Sequence, residues 1–165
     1  MNFIYLGKIA NTHGIKGEVK ILSNFDRKDL VFKDGFKVYI GNSKLEETIN
    51  SYRHHQIFDM VTFKGYSNIN EVLKYKGLNI YINRDDLNLN DNDYVLEDLI
   101  GLTIICDGKE YGKVINYMNN TNNVLLEIKY DKNYYIPLVD EYIVKVDLNN
   151  KVIQTKNVKG LIIWK

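Results

Sequence analysis

The sequence is poor in residues that disulfide-linked, fibrous and membrane-spanning proteins need. Of its 165 residues, one is cysteine, one is proline and one is alanine. The single cysteine, Cys106, excludes an intramolecular disulfide, which indicates a reducing compartment. No apolar run approaches the roughly 20 residues of a membrane helix, and the first residues lack the basic and apolar segments of a signal peptide. We therefore expect a cytoplasmic globular protein.

The scarcity of alanine also bears on the fold, because alanine is the best helix former. The chain has instead 13 tyrosines and many valines and isoleucines, which favour strands. Hydrophobic residues make up 45% and charged residues 26% of the chain, values that are ordinary for a folded domain. The net charge of +1 excludes a strongly basic nucleic-acid binder.

Alternating polar and apolar residues predict about six short strands and one short helix in the first half. The alternation is clearest at residues 18–22 and 36–40. Apolar residues three and four positions apart predict a helix over residues 69–76, ended by Gly77. Polar turn residues at 11–14 predict the end of the first strand.

The second half reads as six further strands after an acidic, turn-rich segment. Asp107-Gly108 predicts a tight hairpin, and Pro137 must lie on an edge strand or at a bulge because it lacks a backbone N–H. We predict an all-β fold with one short helix: a six-stranded barrel at 1–86, a linker at 87–93 and a second small barrel at 94–165. Formal charge is +3 before residue 87 and −2 after it, so the first half is better suited to phosphate.

Residues that carry enzyme chemistry do not form a recognisable set. The serines lie outside nucleophile motifs, and His13, His54 and His55 have no cysteine or carboxylate at metal-binding spacing. Cys106 lies in an apolar strand, which favours a buried, unreactive thiol. Phosphate-binding glycine loops are absent. We expect no catalytic residues, no metal and no cofactor.

Residues 13–18, His-Gly-Ile-Lys-Gly-Glu, contain two glycines that flank a lysine. One interpretation is structural: Gly14 and Gly17 adopt positive φ in a tight connection between strands. The other is functional: the basic loop contacts a partner. The sequence leaves both open.

This segment also carries a resemblance. Together with Leu-Gly-Lys-Ile at 6–9, it resembles the opening of the ribosome maturation factor RimM family. The resemblance continues in the same order through Glu-Asp-Leu-Ile-Gly-Leu at 97–102, Gly-Lys-Val at 112–114, Ile-Pro-Leu-Val at 136–139 and Gly-Leu at 160–161. The resemblance spans nearly the whole chain. Motifs at 6–18 and motifs from 97 to 161 form two blocks, and their combination is specific.

The resemblance implies an N-terminal six-stranded barrel and a C-terminal PRC-type barrel without catalytic activity. It further implies a chaperone-like factor that binds the free small ribosomal subunit and its head protein nineteen, and that assists maturation of the 3′ domain of 16S rRNA. We expect a monomer that has no contact with membranes.

Candidate contact residues follow from the resemblance and from local charge. For the ribosomal protein they are Tyr94, Leu99, Pro137 and Asp140; for rRNA they are Lys8, His13, Lys16 and Lys20. The family commonly has two adjacent aromatic residues before the Asp-Leu-Ile-Gly-Leu block, whereas this chain has Tyr94 followed by Val95.

Two other classes of function stay open. An RNA-modifying or RNA-cleaving enzyme would turn over precursor rRNA unaided, although no nucleophile or metal set is visible. A general adaptor would use the PRC-type barrel alone, and it would have no need of the conspicuous His-Gly-Ile-Lys-Gly-Glu segment.

We predict that Tyr94→Ala weakens binding to the small subunit without unfolding the protein, because tyrosine is a typical interface anchor. The measurement is co-sedimentation with purified subunits, with circular dichroism as the control for folding. A well-folded variant that sediments normally would contradict the assignment.

Overall fold

The structure, a computed structural model, describes residues 1–120 and 122–162. It divides into two compact units, the first Met1–Asn90 and the second beginning at Asp91. Thr121 and the last three residues of the predicted second barrel therefore lie outside the described residues. Six strands form the sheet of each unit, and the few helices are short. The predicted all-β class with two small barrel-like domains is confirmed.

The first unit is a closed antiparallel barrel with the strand order β1-β2-β5-β4-β3-β6. Its strands are β1 Phe3–His13, β2 Glu18–Leu22, β3 Lys37–Ile40, β4 Leu45–His55, β5 Phe58–Phe63 and β6 Asn79–Asn83. Side chains alternate between the two faces of each strand, and the inward set is fully buried. That set includes Leu6, Ile9, Ile21, Ile49, Phe63 and Ile80.

Short helices connect the strands of this barrel. The sequence does not predict helix α1, Lys28–Val31, because four residues are too few to show a helical period. The predicted helix at 69–76 is divided into α2, Ile69–Val72, and a 3-10 turn, Leu73–Tyr75. Asn68 caps α2 by accepting from the Glu71 backbone N–H at 3.3 Å, and the Glu71 carboxylate accepts from the Asn68 N–H. A further 3-10 turn, Arg84–Leu87, follows β6.

The second unit is a six-stranded sheet with the order β10-β9-β8-β7-β12-β11. Its elements are a 3-10 turn Leu96–Leu99, β7 Thr103–Cys106, β8 Lys109–Asn120, β9 Asn123–Lys129, β10 Tyr134–Pro137, β11 Ile143–Asp147, β12 Val152–Thr155 and α3 Lys159–Ile162. β7 and β12 are parallel, and the other pairs are antiparallel. Pro137 ends β10 at the edge of the sheet, as its missing N–H requires.

The first strand is longer than the sequence predicts. β1 continues to His13, which pairs with Glu18, so the turn is residues 14–17 and the predicted turn at 11–14 is wrong. Asn11 and Thr12 are residues typical of turns, but here they pair with Lys20 and Val19. Cross-strand hydrogen bonds outweigh their local preference for turns.

Both glycines of this turn adopt positive φ, +71° at Gly14 and +91° at Gly17. They differ in their surroundings. A Cβ at Gly17 would lie 3.0 Å from the Asn68 carbonyl oxygen, whereas a Cβ at Gly14 would meet nothing within 4 Å. The turn is fixed to the start of α2 by a hydrogen bond from the Ile69 N–H to the Ile15 carbonyl, 3.0 Å. Gly17 is therefore required by packing as well as by φ.

We predict that Gly17→Ala lowers the free energy of unfolding by about 2 kcal/mol, since it adds a close contact to an unfavourable φ. Gly14→Ala, the matched control, carries only the φ penalty and costs about 1 kcal/mol. Urea denaturation followed by circular dichroism measures both. Equal stability of the two variants would show that the contact with Asn68 is unimportant.

Candidate functional site

The four residues predicted to face rRNA lie on one hairpin, β1–β2. Lys8 is exposed and pairs with Leu22, and Lys20 pairs with Asn11. His13 lies at the end of β1, and Lys16 is exposed in the turn. Because their strand neighbours Ile9, Val19 and Ile21 are buried, the side chains of Lys8 and Lys20 point outward. Their proximity to rRNA remains a prediction.

A second hairpin, β4–β5, adds residues to this face that the sequence does not identify. Arg53 donates two hydrogen bonds to Glu18, from Nε to Oε2 and from Nη2 to Oε1, both 2.8 Å. The His55 ring lies 6.1 Å from the His13 ring, centroid to centroid. The Lys20 ammonium lies 5.0 Å from the centre of the Phe58 ring. We call these residues, with Lys8 and Lys16, the hairpin face.

The electrostatics of the hairpin face centre on one carboxylate. The hydrogen bond from Arg53 lowers the pKa of Glu18 below its ordinary value, and nearby His13 and His55 act in the same direction when charged. Glu18 therefore stays ionised and holds the Arg53 guanidinium in a fixed plane. Lysines around this pair leave the face with more positive than negative groups, an arrangement that can bind phosphate.

A buried carboxylate of the β4–β5 hairpin joins this hairpin to α1. Asp59 is fully buried, and its Oδ1 accepts from the Tyr52 hydroxyl at 2.7 Å. The Lys28 ammonium of α1 lies 2.8 Å from Oδ2, and His54 Nδ1 lies 3.4 Å from Oδ1. Phe32, which follows α1, stacks on Tyr52 with ring centres 5.2 Å apart. These contacts fix α1 to the hairpin.

Among the residues predicted to contact the ribosomal protein, one assignment must be corrected. Leu99 is fully buried in the core of the second unit, so its side chain cannot serve as a surface contact. Pro137 is partly exposed at the end of β10, and Asp140 is exposed in the connection that follows. Tyr94 is half-buried and packs against the core. Contact of these three residues with a partner remains a prediction.

Val95, the residue after Tyr94, belongs to the interior of the second unit. Val95 is fully buried, and its N–H donates to Asp98 Oδ2 at 3.0 Å as the 3-10 turn begins. The side chain of Val95 therefore faces the interior of the second unit. This chain offers one ring here, that of Tyr94.

Chemistry-bearing residues elsewhere are consistent with structural roles. Cys106 is buried with a free thiol, as its apolar strand predicts. Within residues 1–120 and 122–162, histidine, cysteine and acidic side chains form no group of three that could hold a metal ion. Over the same residues, no helix has the length and apolar character needed to cross a membrane.

Comparison with known proteins relates the chain to one family over nearly its whole length. The model of the RimM N-terminal domain matches residues 4–87, and that of the RimM PRC barrel domain matches residues 96–161. Ribosome maturation factor RimM of Staphylococcus haemolyticus is 39% identical over 164 residues, which cover 96% of this chain and 98% of that protein. Its counterpart from Staphylococcus aureus strain RF122 is 40% identical with the same coverage.

A crystal structure from Pseudomonas aeruginosa, described as a 16S ribosomal RNA processing protein RimM, covers 94% of this chain and 97% of its own. Its sequence identity is 20% and its TM-score is 0.43. The closed barrel followed by a PRC-type sheet defines a two-domain, all-β class of protein. Within that class, the two domain models and the Staphylococcus relatives identify the family. The chain belongs to the RimM family.

We predict that Tyr52→Phe lowers the free energy of unfolding at neutral pH by about 1 kcal/mol, because Asp59 loses a hydrogen bond. Burial, and next the bond to Asp59, raise the pKa of Tyr52 to about 12. The contribution of the hydroxyl is therefore complete below its ordinary pKa of about 10 and is lost as pH rises through about 12. Urea midpoints of both proteins between neutral pH and about pH 12 measure this. A difference that stays constant over that range would contradict the prediction.

Proposed function

We propose that this protein is a non-catalytic assembly factor of the small ribosomal subunit. It binds free 30S subunits and the ribosomal protein nineteen of the head, and it promotes maturation of the 3′ domain of 16S rRNA. It acts in the cytoplasm as a monomer and needs no cofactor. The observation that carries the proposal is the identity of 39–40% to ribosome maturation factors over almost the full length of both proteins.

In this proposal the first unit contacts rRNA through the hairpin face. The lysines lie on neighbouring strands, and Glu18 holds the arginine. Each of these cations can contact one phosphate oxygen, and such contacts do not depend on the base sequence. The formal charge of +3 over residues 1–86 supports this orientation. The total charge of +1 favours a factor that recognises RNA together with protein.

The second unit contacts the ribosomal protein in this proposal, through Tyr94, Pro137 and Asp140. A half-buried tyrosine that packs on the core is preorganised, so little side-chain entropy is lost on binding. Asp140 adds an exposed negative charge, which suits a basic ribosomal protein. We further propose residues 87–93 as the linker between domains 1–86 and 94–165. The structure's division after Asn90 supports that range.

The experiment that tests the proposal is sedimentation of the purified protein with free small subunits, large subunits and whole ribosomes at moderate salt. Selective pelleting with free small subunits is the expected result. A folded protein that pellets with none of them would refute the assembly-factor proposal and favour a general adaptor. Turnover of precursor 16S rRNA by the protein alone would instead establish an enzyme.

We predict that replacing Lys8, Lys16 and Lys20 together by glutamine weakens small-subunit binding and reduces its salt dependence. The slope of log K against log salt should fall by up to about 3, one for each phosphate that the variant no longer neutralises. The matched control replaces three exposed lysines of the second unit, Lys109, Lys132 and Lys156. Equal slopes for the two triple variants would exclude the hairpin face as the phosphate-binding surface.

A further inference from the structure

A row of tyrosines crosses three neighbouring strands on the outside of the first barrel. Tyr5 of β1 pairs with Tyr81 of β6, and Tyr81 pairs with Tyr39 of β3. Residues paired directly across strands lie on the same face. Phe3, two residues before Tyr5, lies on this face as well, with its ring 5.0 Å from that of Tyr39. We call these four residues the aromatic face.

The four rings form two contacting pairs that differ in exposure. Tyr39 is 4% exposed and meets Phe3 edge to face, at an interplanar angle of 63°. Tyr5 is 51% exposed, and it meets the partly exposed Tyr81 edge to face with ring centres 5.9 Å apart and planes at 75°. A half-exposed ring that contacts a second ring leaves part of its own surface open to solvent. Tyr5 is therefore an accessible aromatic surface.

Two lysines, Lys44 and Lys8, are associated with this surface. The Lys44 ammonium lies 4.1 Å from the centre of the Tyr81 ring and 5.7 Å from that of Phe3. Lys44 has a φ of +56°, in a turn closed by a hydrogen bond from its N–H to the Gly41 carbonyl at 3.1 Å. A left-handed conformation is unfavourable for lysine, so this turn has some energetic cost. Lys8 is the next outward, exposed residue after Tyr5 on β1.

Acidic residues near this surface are few and partly neutralised. Burial, and next the negative charges of Glu46 and Asp86, raise the pKa of Tyr39, and Glu46 is paired with Lys37 at 3.6 Å. Of the other charged residues named for this face, Lys8 and Lys44 are positive and Asp86 is negative. The balance is weakly positive, and the apolar surface is aromatic and not aliphatic.

We propose that the aromatic face binds an unpaired stretch of RNA, with one base stacked on Tyr5 and the flanking phosphates near Lys8 and Lys44. The proposal rests on the proposed function, since it names a single-stranded segment of rRNA as the ligand of this face. Single-stranded binding sites combine aromatic rings with a cationic groove in this way. Protein interfaces are by contrast depleted in lysine, and in a duplex the bases are already stacked and cannot reach Tyr5.

The test is fluorescence anisotropy of a labelled oligouridine of roughly ten nucleotides, titrated with the full-length protein. Tyr5→Leu should weaken binding about 10-fold, a decrease in the range of one stacked base. Tyr5→Phe keeps the ring and should bind as the wild type. The matched control is Tyr135→Leu in β10, since Tyr135 is 44% exposed and lies in the other unit.

Photo-crosslinking with an oligouridine that contains 4-thiouridine gives a readout that needs no variant. We expect the crosslink to map to the peptide containing Tyr5. Equal binding of Tyr5→Leu and wild type, equal affinity for a duplex, or crosslinks confined to the second unit would each overturn the proposal. So would weaker subunit binding by Tyr5→Leu with no binding of oligouridine, because the face would then contact protein.

These outcomes are separable from failure of the proposed function. Sedimentation with free small subunits tests that function and does not depend on Tyr5 alone. Wild-type protein that pellets with small subunits but has no affinity for oligouridine refutes the aromatic face and leaves the assembly-factor proposal intact. Binding of oligouridine without binding to subunits would refute the assembly-factor proposal and leave RNA binding by the aromatic face intact.

Discussion

Strand β1 closes the first barrel by hydrogen-bonding to β6 along its first half and to β2 along its second half. The register shifts between Tyr5 and Gly7 in one ladder and between Ile9 and Asn11 in the other. These two bulges let one strand turn from one partner to the next. Gly7 is required at the crossing, because a Cβ there would lie 2.2 Å from the Leu22 carbonyl oxygen.

The same geometry places both candidate surfaces of the first unit on β1. The first bulge adds one residue, Leu6, so Tyr5 and Lys8 both point outward although an odd number of positions separates them. Tyr5 then belongs to the aromatic face, and Lys8, a member of the hairpin face, is the next exposed residue on the same strand. A change at Gly7 would disturb the ladders on both sides. Barrel closure is therefore a condition of the arrangement of both faces as well as of stability.

The Glu18–Arg53 pair has a different kind of role. Arg53 is half-exposed, and an ion pair in contact with water adds little to stability because solvent screens it. Its two parallel hydrogen bonds fix the direction of the guanidinium. The buried Asp59 network below it holds the β4–β5 hairpin in place. Orientation of the cation, and not its contribution to folding, is what this pair supplies.

The sequence predicts those features that depend on local pattern. Alternation locates most strands, and Gly77 ends the helical segment with a φ of +83° as expected. The pairing of Arg53 with Glu18 is beyond such reasoning, since 35 positions separate them and only the barrel brings β2 and β4 near. The expectation of a surface contact at Leu99 is wrong because a motif does not reveal which of its residues is buried. The turn lies at 14–17 because pairing with β2 extends β1 through residues that locally favour turns.

The burial of Val95 affects how much binding energy each unit would supply in the proposed function. With Val95 buried, this segment presents the ring of Tyr94 alone, and one partly buried tyrosine supplies only part of the energy of an interface. A second contact on the same chain compensates without being strong itself, because attachment of one unit raises the effective concentration of the other. In the proposed function, phosphate contacts of the hairpin face in the first unit would meet that need. Weak surfaces on both units, acting together, would then give a factor that binds when RNA and protein are presented side by side and dissociates when either is withdrawn.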